Sequence, residues 1–290
     1  MAALSPIPAV VLDHVAIACD RAAVAWPTFA GALPSSWIGG GGTAGFASFQ
    51  VSYANGMKVE ILEPHLVEQN DFLRRFLDRN GAGPHHLTFK VADIEAALEI
   101  VEAAGYRPVG VNLSLPWWKE AFLHPKDAPG IVVQLAQSQD GGDWGDERAP
   151  DWFPAPRVPT PATLVHVGHA LADVEEGLRL FRDLLGGEVT AEGGDETARF
   201  VDLAWPGPGR VRLMTGSAFD SWLDGRTGRV HHIAFATEDP AGVPGAIPID
   251  GTVFHVAPDD LTGTRLLLAP RQEPFRTHAL GYVPEHGRTH

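Results

Sequence analysis

Cysteine is nearly absent. Cys19 is the sole example in 290 residues, so no disulfide within the chain can staple the fold. A sole thiol suits a reducing compartment, and its place in the first predicted strand reads as buried packing rather than as a catalytic thiol. Positive charge is also short. Lys and Arg number 22 against 36 Asp and Glu, a formal net charge of −14. A nucleic-acid binder carries a basic footprint, and none is visible. Long apolar runs are missing too. No stretch approaches the ~20 residues needed to cross a bilayer, and residues 1–10 lack a basic region followed by an apolar core, so no signal peptide is expected. These absences point to a soluble, cytoplasmic protein, monomer or homodimer, whose partner is a small molecule rather than nucleic acid or membrane. What is present suits a self-sufficient core: 44% of residues are hydrophobic and 20% charged, ordinary globular values.

One short pattern occurs four times: Asp13-His14-Val15-Ala16-Ile17-Ala18, Gly83-Pro84-His85-His86-Leu87-Thr88-Phe89-Lys90, Val165-His166-Val167-Gly168-His169-Ala170 and His231-His232-Ile233-Ala234-Phe235-Ala236. Each puts a histidine at the mouth of an alternating strand. The interval from His14 to Glu60 is 46 residues, as is that from His166 to Arg212, and His14 to His166 and Glu60 to Arg212 are both 152. His86 lies 48 residues before Gln134, and His232 lies 35 before Leu267. Internal repetition of this kind means stacked similar units. The chain therefore reads as α+β, with four βαβββ units forming two tandem half-barrel modules. One unit leaves an open sheet edge, and two together can curve into a half-barrel. The first module covers residues 1–137, a Pro/Gly-rich linker or strap 138–161, the second module 162–270, and a polar tail 271–290. Trp144, Trp152 and Phe153 imply that the strap packs against the body.

Within the first module the pattern gives a strand over 11–18 and an Ala-rich helix over 21–33, broken at Pro27. Gly39–Gly42 reads as a flexible turn or lid. A hairpin over 46–53 and 58–62 turns at Asn55-Gly56. Helices follow over 72–79 and 94–104, the second capped by Asp93, and strands near 108–111, 120–123 and 131–135 close the module. The second module repeats this with strands at 164–170, 198–204 and 210–214, a helix over 174–185, and strands at 252–255 and 264–268. Its last unit has no helix, because Pro240 and Pro244 interrupt the place for one.

The repeated faces would carry His14, Glu60, His86 and Gln134 in the first module. They would carry His166, Arg212, His232 and Leu267 in the second. Two imidazoles and one carboxylate can hold a divalent transition metal with positions left open, which suits Zn, Ni, Co, Mn or Fe. Gln134 could add a neutral oxygen. A strand histidine also serves as a satisfied core residue. Glu60 either faces inward, where a lone carboxylate needs a partner, or lies on a wet outer face. Arginine cannot ligate a cation, so the second module is expected to hold no metal and to act as a structural partner or to pair Arg212 with an anion. His85 is expected to face the other side of the sheet from His86.

Four stretches resemble the vicinal oxygen chelate superfamily, which includes glyoxalase I, methylmalonyl-CoA epimerase, fosfomycin-resistance proteins and extradiol dioxygenases. They are Leu12-Asp13-His14-Val15-Ala16-Ile17-Ala18, Lys58-Val59-Glu60-Ile61-Leu62-Glu63-Pro64, Gly83-Pro84-His85-His86, and Phe122-Leu123-His124-Pro125-Lys126-Asp127 followed by Gly130-Ile131-Val132-Val133-Gln134-Leu135. The likeness spans nearly the whole chain, and residues 10–136 look most like the epimerase branch. It puts His14, Glu60, His86 and Gln134 on the metal-ligand positions and His85 on a non-ligand position. Two departures matter. Gln134 stands where those relatives usually have glutamate, and Gly42-Thr43-Ala44-Gly45 stands where the epimerase branch tends to carry a second one. A two-base epimerisation is thereby put in question.

The resemblance implies a metal acting as Lewis acid on a substrate carbonyl and a side chain that moves a proton. Glu60, Glu120 and His124 are the candidates for the second role, although Glu120 and His124 also suit hairpin or surface positions. Trp117, Trp118, Tyr53 and Phe46 could wall a pocket or pack in the core. The implied function is a metal-dependent isomerase or lyase of the glyoxalase/epimerase type, acting on a small oxygenated carbonyl compound or thioester through a metal-stabilised enolate. An Fe(II) ring-cleaving, extradiol-type dioxygenase and a non-catalytic small-molecule binding or resistance protein remain as alternatives. In the dioxygenases the active metal set usually sits in the second module.

Overall fold

The computed structural model describes residues 5–139 and 148–271. Eight strands make a first sheet: β1 Val11–Ala18, β2 Ser36–Thr43, β3 Gly45–Ser52, β4 Lys58–His65, β5 Gly83–Lys90, β6 Pro108–Asn112, β7 Trp118–Leu123 and β8 Val132–Ser138. Their order across it is β2-β3-β4-β1-β5-β8-β7-β6. A second sheet holds β9 Thr163–Leu171, β10 Glu188–Gly194, β11 Arg199–Ala204, β12 Arg210–Thr215, β13 Gly228–Thr237, β14 Ala246–Asp250, β15 Val253–Val256 and β16 Leu266–Pro270. Its order, β10-β11-β12-β9-β13-β16-β15-β14, is the first order shifted by eight strands. The chain is thus an α+β fold of two tandem half-barrel modules, and the sheet order is the spatial form of the sequence repeat.

Alternation along each strand separates two faces. Val15, Ile17, Val59, Ile61, Leu87, Phe89, Val133 and Leu135 turn to one side. There they join Val167, Leu213, Ile233, Phe235 and Leu268 of the second sheet in one continuous core. Across this core Phe89 meets Trp205 at 5.1 Å between ring centroids and Tyr53 meets Phe235 at 4.9 Å. Asn55 Nδ2 donates to the Leu164 carbonyl (2.8 Å), and His169 Nε2 donates to the Pro129 carbonyl (2.7 Å). At Gly130 the backbone has φ +75°, and a Cβ would stand 1.7 Å from the Gly228 carbonyl oxygen. Only glycine meets both conditions.

Helix α1, Phe72–Asn80, and helix α2, Ile94–Ala103, lie close to their expected positions. The Asp93 carboxylate accepts from the backbone N–H of Glu95 and Ala96 at 3.0 and 3.2 Å, which fixes the start of α2. Four expectations change. Gly39–Gly42 is neither turn nor lid: it lies in edge strand β2, where a Cβ on Gly40 would meet the Phe49 ring at 2.5 Å and one on Gly42 the His65 ring at 2.7 Å. Glycine lets those two rings lie across the strand. The helix over 21–33 is replaced by a 3-10 turn, Ala22–Val24, and a π-helical segment, Pro27–Ala32, because Pro27 cannot continue a preceding helix. The helix after β9 is α-helical over Val174–Leu178 and π-helical over Arg179–Leu184. Strand β10 escaped sequence reading because its residues are mostly exposed and lack apolar alternation. In the strap, Trp152 and Phe153 pack on Trp37 at 5.6 and 5.3 Å. Trp144 and residues 272–290 of the tail lie outside the described residues.

Candidate metal centre

The site face of the first sheet is the face opposite the shared core. His14 on β1, Glu60 on β4, His86 on β5 and Gln134 on β8 all point there, and all are buried. Glu60 Oε2 lies 3.5 Å from His14 Nε2 and 3.4 Å from His86 Nε2. Among the described residues these three form the one group of histidine, cysteine and carboxylate side chains whose ligand atoms fall within 4.8 Å of one another. Glu60 therefore faces inward rather than into water.

Two bulges build the surroundings. Between β1 and β5, Leu12 faces Phe89 but His14 faces Thr88, and Ala16 faces His86 but Ile17 faces Pro84. The extra residues are Asp13 and His85. A bulge re-aims side chains, and here each extra residue turns toward the histidine beside it. Asp13 Oδ2 lies 2.8 Å from His14 Nδ1, and His85 Nδ1 lies 2.9 Å from His86 Nδ1. His85 thus does not face the other side of the sheet. The bulge brings it onto the site face, where its ring meets Phe76 of α1 at 4.6 Å. Asp13 and His85 as partners were missed from sequence, since a register slip leaves no mark in the alternation.

The proton arrangement follows from these contacts. A carboxylate only accepts, so Asp13 receives the His14 Nδ1 proton, while Lys58 Nζ donates to the other Asp13 oxygen at 2.7 Å. Burial alone would lower the His14 pKa, but the Glu60 and Asp13 carboxylates outweigh it and push it up to about 9. Burial would raise Glu60, yet the His14 imidazolium, helped by a hydrogen bond from Gln50, brings it down to about 2. Burial holds His86 neutral, well below its ordinary value, and its Nε2 is buried with no hydrogen-bond partner. An orphaned nitrogen aimed at a carboxylate, and an Nδ1 partner for each imidazole, are what a bound cation requires. The donor set fits a divalent transition ion of unspecified identity.

Gln134 stands beside this group. Thr88 Oγ1 donates to Gln134 Oε1 at 2.5 Å and lies 2.8 Å from His14 Nε2. Gln134 Nε2 donates to Glu120 Oε2 at 2.8 Å, and Trp118 Nε1 donates to the same oxygen at 2.9 Å. The structure thus links Glu120 to the site through Gln134. His124 sits exposed in the turn after β7, its Nδ1 accepting from the Lys126 N–H at 3.2 Å. Tyr53 is not a pocket wall. It lies in the core between the modules, with its hydroxyl donating to the Phe29 carbonyl at 2.9 Å. Phe46 packs on Phe72 of α1, and Trp117 is 58% exposed. Cys19 is buried, and burial first, with Glu63 nearby, pushes its thiol up to about 12, so it is no nucleophile at neutral pH.

The second module repeats both bulges, with Val165 and His231 as the extra residues. Its chemistry differs. His166 Nε2 and His232 Nε2 are bonded directly at 2.9 Å. Gly168, where the first module has Ala16, allows this, since a Cβ there would stand 2.2 Å from the His232 ring. Arg212 replaces the carboxylate and grips Asp202 at 2.7 and 2.8 Å, and Leu267 fills the fourth position, packed with Ala234 in a small apolar cluster.

Known proteins resemble this chain in sequence and in fold. The model of the Glyoxalase/Bleomycin resistance protein/Dioxygenase superfamily matches residues 13–122. An ethylmalonyl-CoA/methylmalonyl-CoA epimerase of Cereibacter sphaeroides is 36% identical over 84 residues, 28% of this chain and 61% of that protein. The chain thus spans less than two thirds of that relative. The human mitochondrial methylmalonyl-CoA epimerase is 30% identical over 135 residues, 44% of this chain and 73% of that protein. A solved mutant of 4-hydroxymandelate synthase from Streptomyces coelicolor shares the two-module fold, with a TM-score of 0.58 at 12% identity, covering 93% of this chain and 94% of that one. The chain belongs to the Glyoxalase/Bleomycin resistance protein/Dioxygenase superfamily. Part of the chain is similar to methylmalonyl-CoA epimerases, and the matched superfamily model lies within the first module.

Proposed function

We propose that this protein is a metal-dependent isomerase or lyase of the glyoxalase/epimerase type, acting on a small oxygenated carbonyl compound or thioester. One observation carries the reading: two imidazole nitrogens and a carboxylate oxygen converge, and the His86 nitrogen among them is buried without a partner. His14, Glu60 and His86 hold the ion, with the Gln134 oxygen beside them. A bound divalent ion supplies a Lewis acid for the substrate carbonyl.

Glu120 is the proton carrier in this reading. Gln134 leaves the usual carboxylate position neutral, and Glu120, on the neighbouring strand, brings a carboxylate to the Gln134 amide. Both of its hydrogen bonds fall on Oε2, so Oε1 is the oxygen that takes a proton from the substrate. The same bond orients the Gln134 amide, with its nitrogen toward Glu120 and its oxygen toward Thr88 and His14. The thioester option draws on the relatives named for acyl-CoA substrates. The two-module likeness to 4-hydroxymandelate synthase keeps the oxygen-using reading as the second choice, on fold alone.

The test is solvent exchange. The metal-loaded protein is incubated in D2O, without oxygen, with acyl-CoA thioesters and small α-oxygenated carbonyl compounds. Metal-dependent deuterium uptake at the carbon next to the carbonyl is expected. No exchange, together with oxygen uptake on catechols, would move the assignment to the dioxygenase.

A further inference from the structure

The second module has kept its histidines and inverted the charge beside them. We infer that its site face binds a small oxyanion, a carboxylate or phosphate group, on Arg212. This inference is independent of the metal reading of the first module.

The inversion involves a pair of residues. In the first module Gln50 faces Glu60 across β3 and β4, and at the same register Asp202 faces Arg212 across β11 and β12. Arg212 is 3% exposed, and its guanidinium lies 4.4 Å over the Phe200 ring. Asp202 engages its Nε and Nη2. Its Nη1 is buried with no hydrogen-bond partner. A buried, charged donor left unmet is costly, and an anion oxygen is the group that would satisfy it.

The neighbouring histidines exclude a cation. Arg265 Nη1 can only donate, so His231 Nε2, 3.2 Å away, accepts. The His231 proton then sits on Nδ1 and is donated to His232 Nδ1 at 2.9 Å. His232 in turn donates from Nε2 to His166 Nε2 at 2.9 Å. Each imidazole lone pair in this relay is used, and none is left for a metal. Burial, with the nearby Arg212 charge, keeps His166 and His232 neutral. Arg229 and Arg265 both lie over the Trp222 ring, at 4.3 and 4.5 Å. In a chain of net charge −14, Arg212 and Arg265 both bear on His232, and Arg229 and Arg265 on His231, a local concentration of positive charge.

The probes are sodium acetate and sodium phosphate, titrated into the full-length, metal-loaded protein by calorimetry and thermal unfolding. Sodium chloride at matched ionic strength is the control. A saturable rise in unfolding temperature with acetate, phosphate or both is expected, and the preferred probe tells a carboxylate ligand from a phosphate one. Arg212→Gln should abolish the response. Asp202→Asn should bind the same probe several-fold tighter, because Asp202 competes for the guanidinium, and this variant serves as the test if Arg212→Gln does not fold. No saturable response beyond chloride in the wild type would overturn the inference. So would an undiminished response in Arg212→Gln, or an unchanged or weaker one in Asp202→Asn.

Discussion

Metal binding should expel a proton from His14, and the structure sets the size of the effect. Without metal, His14 is an imidazolium held between Asp13 and Glu60, with its pKa pushed up to about 9. A ligating imidazole must give up its Nε2 proton. At pH 7 that proton is held about two units below its pKa. At about 1.36 kcal/mol per unit, removing it costs about 2.7 kcal/mol and lowers apparent affinity about 100-fold. Because the folded pKa is raised, the competition is strongest at low pH. Apparent affinity should rise about tenfold per pH unit up to about 9 and then level off. His86 is already neutral and adds no second proton. Calorimetric titration with Co(II), repeated in buffers of different ionisation enthalpy, counts the protons released. Close to one per chain is expected at pH 7, and the count should fall in Asp13→Asn, which removes one of the two anions that raise His14. A count near zero in the wild type, with affinity flat between pH 6 and 8, would refute this charge arrangement.

Glu120→Gln should keep the bound metal and lose roughly 10²–10⁴-fold in rate, the usual worth of a general acid–base group, whereas His124→Ala should change the rate by less than about threefold; kinetics with metal analysis on both variants separates them. In the metal-free protein Glu60, lowered to about 2, adds stability above its unfolded value near 4.5 that is lost as pH falls through 2. His14, raised to about 9, adds stability below its unfolded value near 6.5 that is lost as pH rises through 9. Urea unfolding at pH 3, 6 and 9.5 should therefore show the wild type's advantage over Glu60→Gln largest at pH 6 and smaller at pH 3 and 9.5. Gly130→Ala should destabilise by more than about 3 kcal/mol, or prevent folding, because a Cβ there strikes the Gly228 carbonyl at a positive φ; a denaturation midpoint near that of the wild type would contradict the packing of the two modules.

The repeat was readable because strand alternation and a constant 152-residue offset are one-dimensional signals. They are enough to put His14, Glu60 and His86 on one face of adjacent strands. The bulges at Asp13 and His85 were not readable, since a slip of register depends on how two strands meet. The Gln50/Glu60 to Asp202/Arg212 exchange was present in the sequence at the same offset, but it becomes visible only once β3 is known to pair with β4. The Gly39–Gly42 run misled because glycine signals freedom in isolation, and here it makes room for the Phe49 and His65 rings. Tyr53 packs in the core, as an aromatic is read by default, but its partner Phe235, in the other module, becomes visible only in the fold.

The central claim is that His14, Glu60 and His86 hold one metal ion in the first module and that the second module holds none. Elemental analysis of the protein, loaded with a divalent transition metal and then desalted, measures this directly. One ion per chain is expected in the wild type and in His232→Ala, and essentially none in His86→Ala. No stoichiometric metal in the wild type, or an equal amount in His86→Ala, would contradict it.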